Sequence, residues 1–175
     1  MRIYVDLDNV LVNPVLVGDR GGVRIDPRPG ADRFLSSLAR RGDLCLLTAS
    51  DPHHAQYGLK SLGSAGRLFR HAITRRELAP VEEQIRVVLG ADVGEEARAR
   101  LWASIAPIAP PGVVFDDFPV GSDMFLVKAT AVGIGPERWI QVEAFTAGRP
   151  DWNGLAKAYE EFKLRFVSAR RSVTA

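Results

Sequence analysis

The chain opens with MRIYVDLDNVLV (residues 1–12), an apolar run that is followed by two aspartates. Ile3, Tyr4 and Val5 are β-branched or aromatic residues and predict a short buried strand. Asp6 follows that strand directly, and Asp8 comes two positions later. Unpaired charges are costly in a core, and open α/β sheets bind ligands at the carboxyl ends of their strands. The stretch therefore predicts a polar site at the edge of a sheet.

The composition indicates an ordinary globular protein. The chain has 175 residues, of which 46% are hydrophobic and 25% charged, which is enough for one domain with a real core. A net charge of +2 leaves no basic surface, so we expect neither nucleic acid nor membrane as a partner. The single Cys45 cannot form an internal disulfide, and neither a targeting segment nor a membrane-spanning run is visible. We expect a cytoplasmic protein, and its oligomeric state stays open.

Strand and helix patterns alternate along the chain. The order strand, helix, strand at the start predicts a right-handed crossover and an α/β fold with a mainly parallel sheet. The long segment from Asn13 to Gly30 is predicted to be a substrate rim or lid containing a small hairpin, with its turn at 19–22. Strands are predicted at 44–47, 68–75, 113–115 and 138–142, and helices at 31–41, 52–62, 80–89, 95–105, 123–131 and, capped by Asp151, up to about 167.

Polar residues follow three of the apolar strands. Parallel strands end at the same edge of a sheet, so these side chains should converge. Several carboxylates in one place repel each other unless a cation neutralises them, and Mg²⁺ prefers oxygen ligands. The residues concerned are Asp6 and Asp8, Thr48 and Ser50, and Asp116 and Asp117.

Such a set of groups suits phosphate chemistry. A carboxylate can attack phosphorus, and a metal ion can offset the charge on the phosphate. A second carboxyl group can protonate the leaving oxygen and then activate water. A hydroxyl group and a cation would hold the remaining phosphate oxygens.

Three segments carry a resemblance to a known superfamily. DLDNVL at 6–11 resembles the first motif of the haloacid dehalogenase-like phosphatases, DxDx(T/V)(L/V). The segment 46–48 resembles their second motif, and 113–117 resembles their fourth. The resemblance implies a Rossmann-like three-layer α/β/α fold with a small or absent cap. It also implies a phosphatase that acts on a phosphorylated small molecule, nucleotide or phosphoprotein.

The resemblance assigns a role to each matching position. Asp6 would be the nucleophile and a metal ligand, and Asp8 the general acid/base, with its backbone carbonyl on the metal. Thr48 would bind the phosphate. Asp116 and Asp117 would complete the Mg²⁺ site, and which of them touches the metal stays open. Asn9, Ala49 and Ser50 join Thr48 in the predicted substrate-binding set, and Asp123 is a weaker metal candidate.

The third motif of the superfamily is a cation before the fourth motif, and here the chain departs from the pattern. No lysine lies between Lys60 and Lys128. A narrower resemblance of 28–30, 47–50 and 68–75 to phosphatases of the RNA polymerase C-terminal domain favours Arg86 by its spacing. Arg75 and Arg76 remain alternatives.

The missing lysine supports a competing hypothesis, a non-catalytic protein of the same fold that binds a ligand or partner. The presence of both Asp6 and Asp8 argues against it, since a binding protein needs no acid/base. We predict a single domain over residues 1–168 and a flexible tail at 169–175. One interpretation of 77–111 is a small helical insertion beside the sheet.

Overall fold

A parallel five-stranded sheet forms the centre of the protein, whose computed structural model describes residues 1–17, 22–146 and 153–168. The strands are β1 (Arg2–Val5), β2 (Val12–Val17), β3 (Gly22–Pro27), β4 (Asp43–Leu47), β5 (Phe69–Ile73), β6 (Gly112–Asp116) and β7 (Trp139–Gln141). The central sheet has the order β5-β4-β1-β6-β7, and all its neighbouring strands pair in parallel. β1, the strand of the opening stretch, lies in the middle.

Helices connect these strands and cover both faces of the sheet. They are α1 (Ala31–Ala39), α2 (Pro52–Ser61), α3 (Arg75–Gly90), α4 (Glu95–Ala103), α5 (Asp123–Ala131) and α6 (Gly154–Phe162). Short 3₁₀ turns occur at Ala65–Leu68 and Pro136–Arg138, and a π-helical turn, Lys163–Val167, continues α6. The predicted three-layer α/β/α fold is confirmed.

Alternation along the strands produces two separate cores, because successive side chains point to opposite faces of a sheet. On one face, Ile3 and Val5 pack with apolar residues of α1 and α6. On the other, Tyr4 packs with apolar residues of α3 and α5. Strands buried on both faces read as continuous apolar runs, which is why β1, β4 and β6 could be located in the sequence.

The segment after Asp8 forms the predicted hairpin. β2 and β3 pair antiparallel in a small sheet of their own, from Val12 opposite Pro27 to Val17 opposite Gly22. Apart from Gly22, the turn predicted at 19–22 lies outside the described residues. The hairpin leaves and rejoins the core next to the Asp6–Asp8 segment, so it borders the predicted site.

The helical pair predicted in the region 77–111 is present as α3 and α4. The spacing of apolar residues in 80–89 predicts one core-facing side made of Val81, Ile85, Val88 and Leu89. In the structure Val81, Ile85 and Val88 cover the sheet, whereas Leu89 is 52% exposed. α4 buries none of its residues.

The carboxyl-terminal helix begins later than predicted, at Gly154, and the predicted cap Asp151 lies outside the described residues, as does the predicted tail 169–175. Leu155, Tyr159, Phe162 and Phe166 stand at helical spacing, which predicts a core-facing stripe. Leu155 and Phe162 are buried, and Tyr159 and Phe166 pack beside them, which confirms it. In the part of the chain that the structure describes, no helix combines the length and apolar character needed to cross a membrane.

Candidate active site

The three predicted strand ends lie side by side. Val5 of β1 is level with Leu46 of β4 and Phe115 of β6. The backbone N–H of Asp6 donates to the Phe115 carbonyl at 2.9 Å, so Asp6 continues the sheet by one residue. Thr48 and Asp116 therefore flank Asp6 at the carboxyl edge of the sheet, as the sequence pattern predicted.

Asp6 is buried at this edge, with 3% of its surface exposed. Its Oδ2 atom lies 3.1 Å from the ammonium nitrogen of Lys128. Its Oδ1 atom is buried without a hydrogen-bond partner among the described residues. Burial raises the pKa of Asp6, and the attraction of Lys128 only partly opposes that effect. The second oxygen of Asp6 is thus an electron-pair donor that no described residue uses in a hydrogen bond.

Asp116 and Asp117 lie on the β6 side of Asp6. Asp116 is fully buried, and its Oδ2 atom is 2.6 Å from the Lys128 nitrogen. Burial and the nearby Asp6 carboxylate raise the pKa of Asp116 to about 8, against the pull of Lys128. Asp117 is half-buried and accepts a hydrogen bond of 3.3 Å from the Asn9 amide. Burial also raises the pKa of Asp117.

These three carboxylates form a group that fits a hard cation. Asp6, Asp116 and Asp117 each offer an oxygen, and these oxygens lie within 4.8 Å of one another. Lys128 forms ion pairs with Asp6 and Asp116, while Asp117 accepts its hydrogen bond from the uncharged Asn9 amide, so a cation placed among the three carboxyl groups would be favoured. The unpartnered Oδ1 of Asp6 belongs to this group, so the residues present suit Mg²⁺. The Asp8 side chain is not part of the group, and the predicted role of its backbone carbonyl stays a prediction.

The positive charge beside Asp6 comes from Lys128, not from Arg86. Lys128 is 0% exposed and lies in α5, downstream of the fourth motif. Burial lowers its pKa, but the attraction of Asp6 and Asp116 outweighs this and raises it overall. Lys128 also lies over the Phe118 ring, 5.1 Å from its centroid. It is thus held charged between the predicted nucleophile and Asp116.

Arg86, predicted to supply the positive charge beside Asp6, does not lie at the site. Its guanidinium is 74% exposed and pairs with Glu83 one turn earlier on α3. Arg75 and Arg76 are exposed as well. The superfamily pattern places this cation upstream of the fourth motif, whereas Lys128 lies downstream of it. A signal was available, since Lys128 interrupts the otherwise apolar MFLVKATAV segment (124–132) and a lysine there has to face a carboxylate.

Asp8 has partners of its own. Its Oδ1 atom lies 2.8 Å from Nε2 of His54, and Oδ2 accepts a hydrogen bond from the Ser50 hydroxyl. Ser50, predicted to bind substrate, therefore uses its side chain to hold Asp8. From the sequence, His53 and His54 start a helix near Thr48, and that position favours exposed side chains over contact with the phosphate rim. The structure instead brings it to the predicted acid/base.

Thr48 and Asn9 complete the edge. Thr48 is buried, and its Oγ1 accepts from the Ser50 N–H at 3.2 Å, which leaves its hydroxyl hydrogen for a ligand oxygen. Asn9 has a left-handed backbone with φ of 60°, which asparagine tolerates better than most residues. Its carbonyl accepts hydrogen bonds from the Phe145 N–H and the buried Arg28 guanidinium.

Two further residues predicted from the sequence lie away from the carboxylates. Ala49 is half-buried next to Thr48 in the chain, and Asp123 is exposed in the first turn of α5, outside the carboxylate group.

The family comparison agrees with this arrangement. The model of a family described as NLI interacting factor-like phosphatases matches residues 2–88. Over this segment the chain resembles the NLI interacting factor-like phosphatases, a haloacid dehalogenase-like family, and the segment includes Asp6, Asp8 and Thr48. The match ends before Asp116, Asp117 and Lys128.

Solved structures give a more distant likeness. One is described as Fcp1, an essential RNA polymerase II CTD phosphatase; it is 16% identical, with a TM-score of 0.44, over 98% of this chain and 52% of that one. Another is a fission yeast Fcp1 variant bound to beryllium fluoride, 16% identical with a TM-score of 0.45, over 95% of this chain and 50% of that one. The chain thus spans about half the length of these structures. A search of curated proteins found no significant match.

Proposed function

We propose that this protein is a Mg²⁺-dependent phosphatase that works through a phosphoryl group carried on Asp6. The observation that carries the proposal is the environment of that residue. One carboxylate oxygen faces the buried Lys128 at 3.1 Å, and the other is buried with no hydrogen-bond partner among the residues that the structure describes. A desolvated carboxylate beside a fixed positive charge suits attack on an anionic phosphate, since the cation offsets the repulsion between them.

The proposed reaction consists of two successive displacements at phosphorus, the first by Asp6 and the second by water. In the first, an Asp6 oxygen forms a bond to phosphorus while the bond to the leaving oxygen breaks, and Asp8 gives that oxygen its proton. In the second, Asp8 takes a proton from water, whose oxygen attacks phosphorus and releases Asp6 and inorganic phosphate. Thr48 donates to a phosphate oxygen throughout. Mg²⁺, held by Asp6, Asp116, Asp117 and the Asp8 carbonyl, would supply positive charge to the phosphate oxygens.

The insertion that follows Asp8 suggests the class of substrate. It consists of the β2–β3 hairpin, with strands of six residues each, in place of a folded cap domain. A small rim of this kind favours phosphate groups carried on large molecules. We therefore propose phosphoproteins as the first substrate class to test, ahead of phosphorylated metabolites and nucleotides.

The competing hypothesis of a non-catalytic binding protein depended on the missing lysine. Lys128 beside Asp6 removes that argument. The decisive experiment measures phosphate release from p-nitrophenyl phosphate with Mg²⁺, and again after chelation with EDTA. We expect turnover that depends on the metal, and a purified, folded protein without any turnover on this ester or on phosphopeptides would contradict the proposal.

Mg²⁺ should also stabilise the fold, and more strongly at high pH. Burial raises the pKa of Asp116 to about 8, far above that of an unfolded aspartate. The metal-free protein therefore loses stability as pH rises from about 4 to about 8, because the folded state must release a proton that it binds more tightly than the unfolded chain. Mg²⁺ competes with that proton. At 100 times its Kd it would add about 2.7 kcal/mol, or roughly 5–10 °C in melting temperature.

Scanning calorimetry at pH 6 and pH 8.5 measures this effect directly. We expect the larger Mg²⁺ shift at pH 8.5 and the loss of most of it in Asp117→Asn. Asp123→Asn is the matched control, since Asp123 is exposed and lies outside the carboxylate group. An equal shift at both pH values, or a shift lost in Asp123→Asn, would show that the metal binds elsewhere.

A further inference from the structure

We infer that His54 is a positioning residue for the acid/base Asp8, an inference that rests on the phosphatase function proposed above. His54 Nε2 lies 2.8 Å from Asp8 Oδ1, and the Ser50 hydroxyl holds Oδ2. Both side chains of the His54–Asp8 pair are about three-quarters buried, with 25% and 23% of their surface exposed. The neighbouring His53 is exposed and serves as a natural comparison.

The two contacts on Asp8 are chemically different. When Asp8 is ionised it only accepts hydrogen bonds, so its contact with His54 then requires the tautomer that carries a hydrogen on Nε2. A serine hydroxyl can rotate to donate or to accept. Oδ2 is therefore the oxygen that can take up and release a proton, while His54 fixes the plane of the carboxyl group from the other side.

The fold places His54 with little freedom. The Asp51 side chain caps α2 by accepting from the backbone N–H groups of His53 and His54, at 2.9 and 3.0 Å. Further along α2, Gly58 lies so close to Leu7 that a Cβ at Gly58 would come within 2.7 Å of the leucine side chain. Leu7 is the residue between Asp6 and Asp8. α2 is thus pressed against the same segment that carries both carboxyl groups, which fixes the distance between His54 and Asp8.

The rate lost when His54 no longer positions Asp8 should depend on the leaving group of the substrate. A general acid matters most when the leaving oxygen is a poor leaving group and least when the leaving group is already a stable anion. Misplacing Asp8 should therefore slow the hydrolysis of phenyl phosphate far more than that of p-nitrophenyl phosphate. A residue that only supports the fold would affect both esters alike.

The test compares His54→Ala with His53→Ala on these two esters, in the full chain with Mg²⁺. For His54→Ala we expect kcat on phenyl phosphate to fall about 30-fold, with KM nearly unchanged, and kcat on p-nitrophenyl phosphate to fall less than about fivefold. His53→Ala should match the wild type on both. His54→Gln should recover most of the rate, because its amide nitrogen can donate to Asp8 from a similar distance.

Equal losses of His54→Ala on both esters, or no loss on phenyl phosphate, would overturn the inference while leaving the phosphatase function standing. Failure of His54→Gln to recover more rate than His54→Ala would also count against it. If the wild-type protein hydrolyses neither these esters nor phosphopeptides, the proposed function fails, and this inference falls with it. Melting temperatures of all variants show whether a loss of rate reflects a loss of fold.

Discussion

Asp6→Asn is expected to abolish phosphate release, with kcat falling by at least about 10³-fold. The amide of asparagine is a poor nucleophile, so the first displacement cannot form a phosphoryl group on residue 6. The fold should survive, because Lys128 keeps Asp116 as a partner at 2.6 Å and the amide carbonyl can still accept from the ammonium group. Steady-state phosphate release, together with the melting temperature, measures both effects.

A second measurement distinguishes an Asp6 that acts as the nucleophile from an Asp6 that only binds the metal. Acid quenching during turnover, followed by intact-mass measurement, should detect one added phosphoryl group on the wild type and none on Asp6→Asn. Asp32→Asn is the matched control, since Asp32 is an exposed aspartate in the first turn of α1 and should behave like the wild type. Undiminished turnover by Asp6→Asn would refute the mechanism.

Lys128→Met should be the second most damaging change. It removes the only ammonium group that the described residues place on Asp6 and Asp116, so phosphate would approach an uncompensated carboxylate. We expect kcat to fall by about 10²–10³-fold, as for the loss of one preorganised electrostatic contact. Leaving two buried carboxyl groups without their partner should also reduce stability by about 3 kcal/mol. Activity assays and urea unfolding test the two effects separately.

Arg86→Met provides the comparison that decides between the two cations. Arg86 is 74% exposed and pairs only with Glu83 among the contacts described, so its loss should leave kcat and stability close to the wild type. If Lys128→Met fails to fold, Lys128→Arg keeps the charge and tests the geometry alone, with a smaller loss of rate expected. A large loss in Arg86→Met with normal activity in Lys128→Met would restore the assignment made from the sequence.

The sequence predicted much of the fold because the strands of a parallel sheet are buried on both faces. β1, β4 and β6 therefore appear as continuous apolar runs, and the polar residue after each run marks the edge of the sheet. The cap of α2 could also be predicted, since Asp51 followed by Pro52 is a local signal, and its hydrogen bonds are present in the structure. Helix ends were less well predicted: α3 begins at Arg75, whereas the sequence pattern placed its start at residue 80.

The site could be predicted only where its residues follow directly from the chain order. Asp6, Thr48 and Asp116 each end a strand, so their convergence follows from the parallel sheet. Lys128 and His54 reach the same edge from helices, and the direction of a helical side chain depends on how that helix packs. Spacing along the sequence therefore favours Arg86, although the structure places its side chain on the solvent side of α3.

The opening stretch on its own established the acidic pair, its place after a central strand and the need for a cation near it. Those properties are local, because they depend on burial and on the alternation of neighbouring residues. The identity of the balancing charge and the partners of Asp8 depend on packing across the sheet. Lys128 is 122 residues away from Asp6 in the chain and is brought within 3.1 Å of it only by the docking of α5 beside β6.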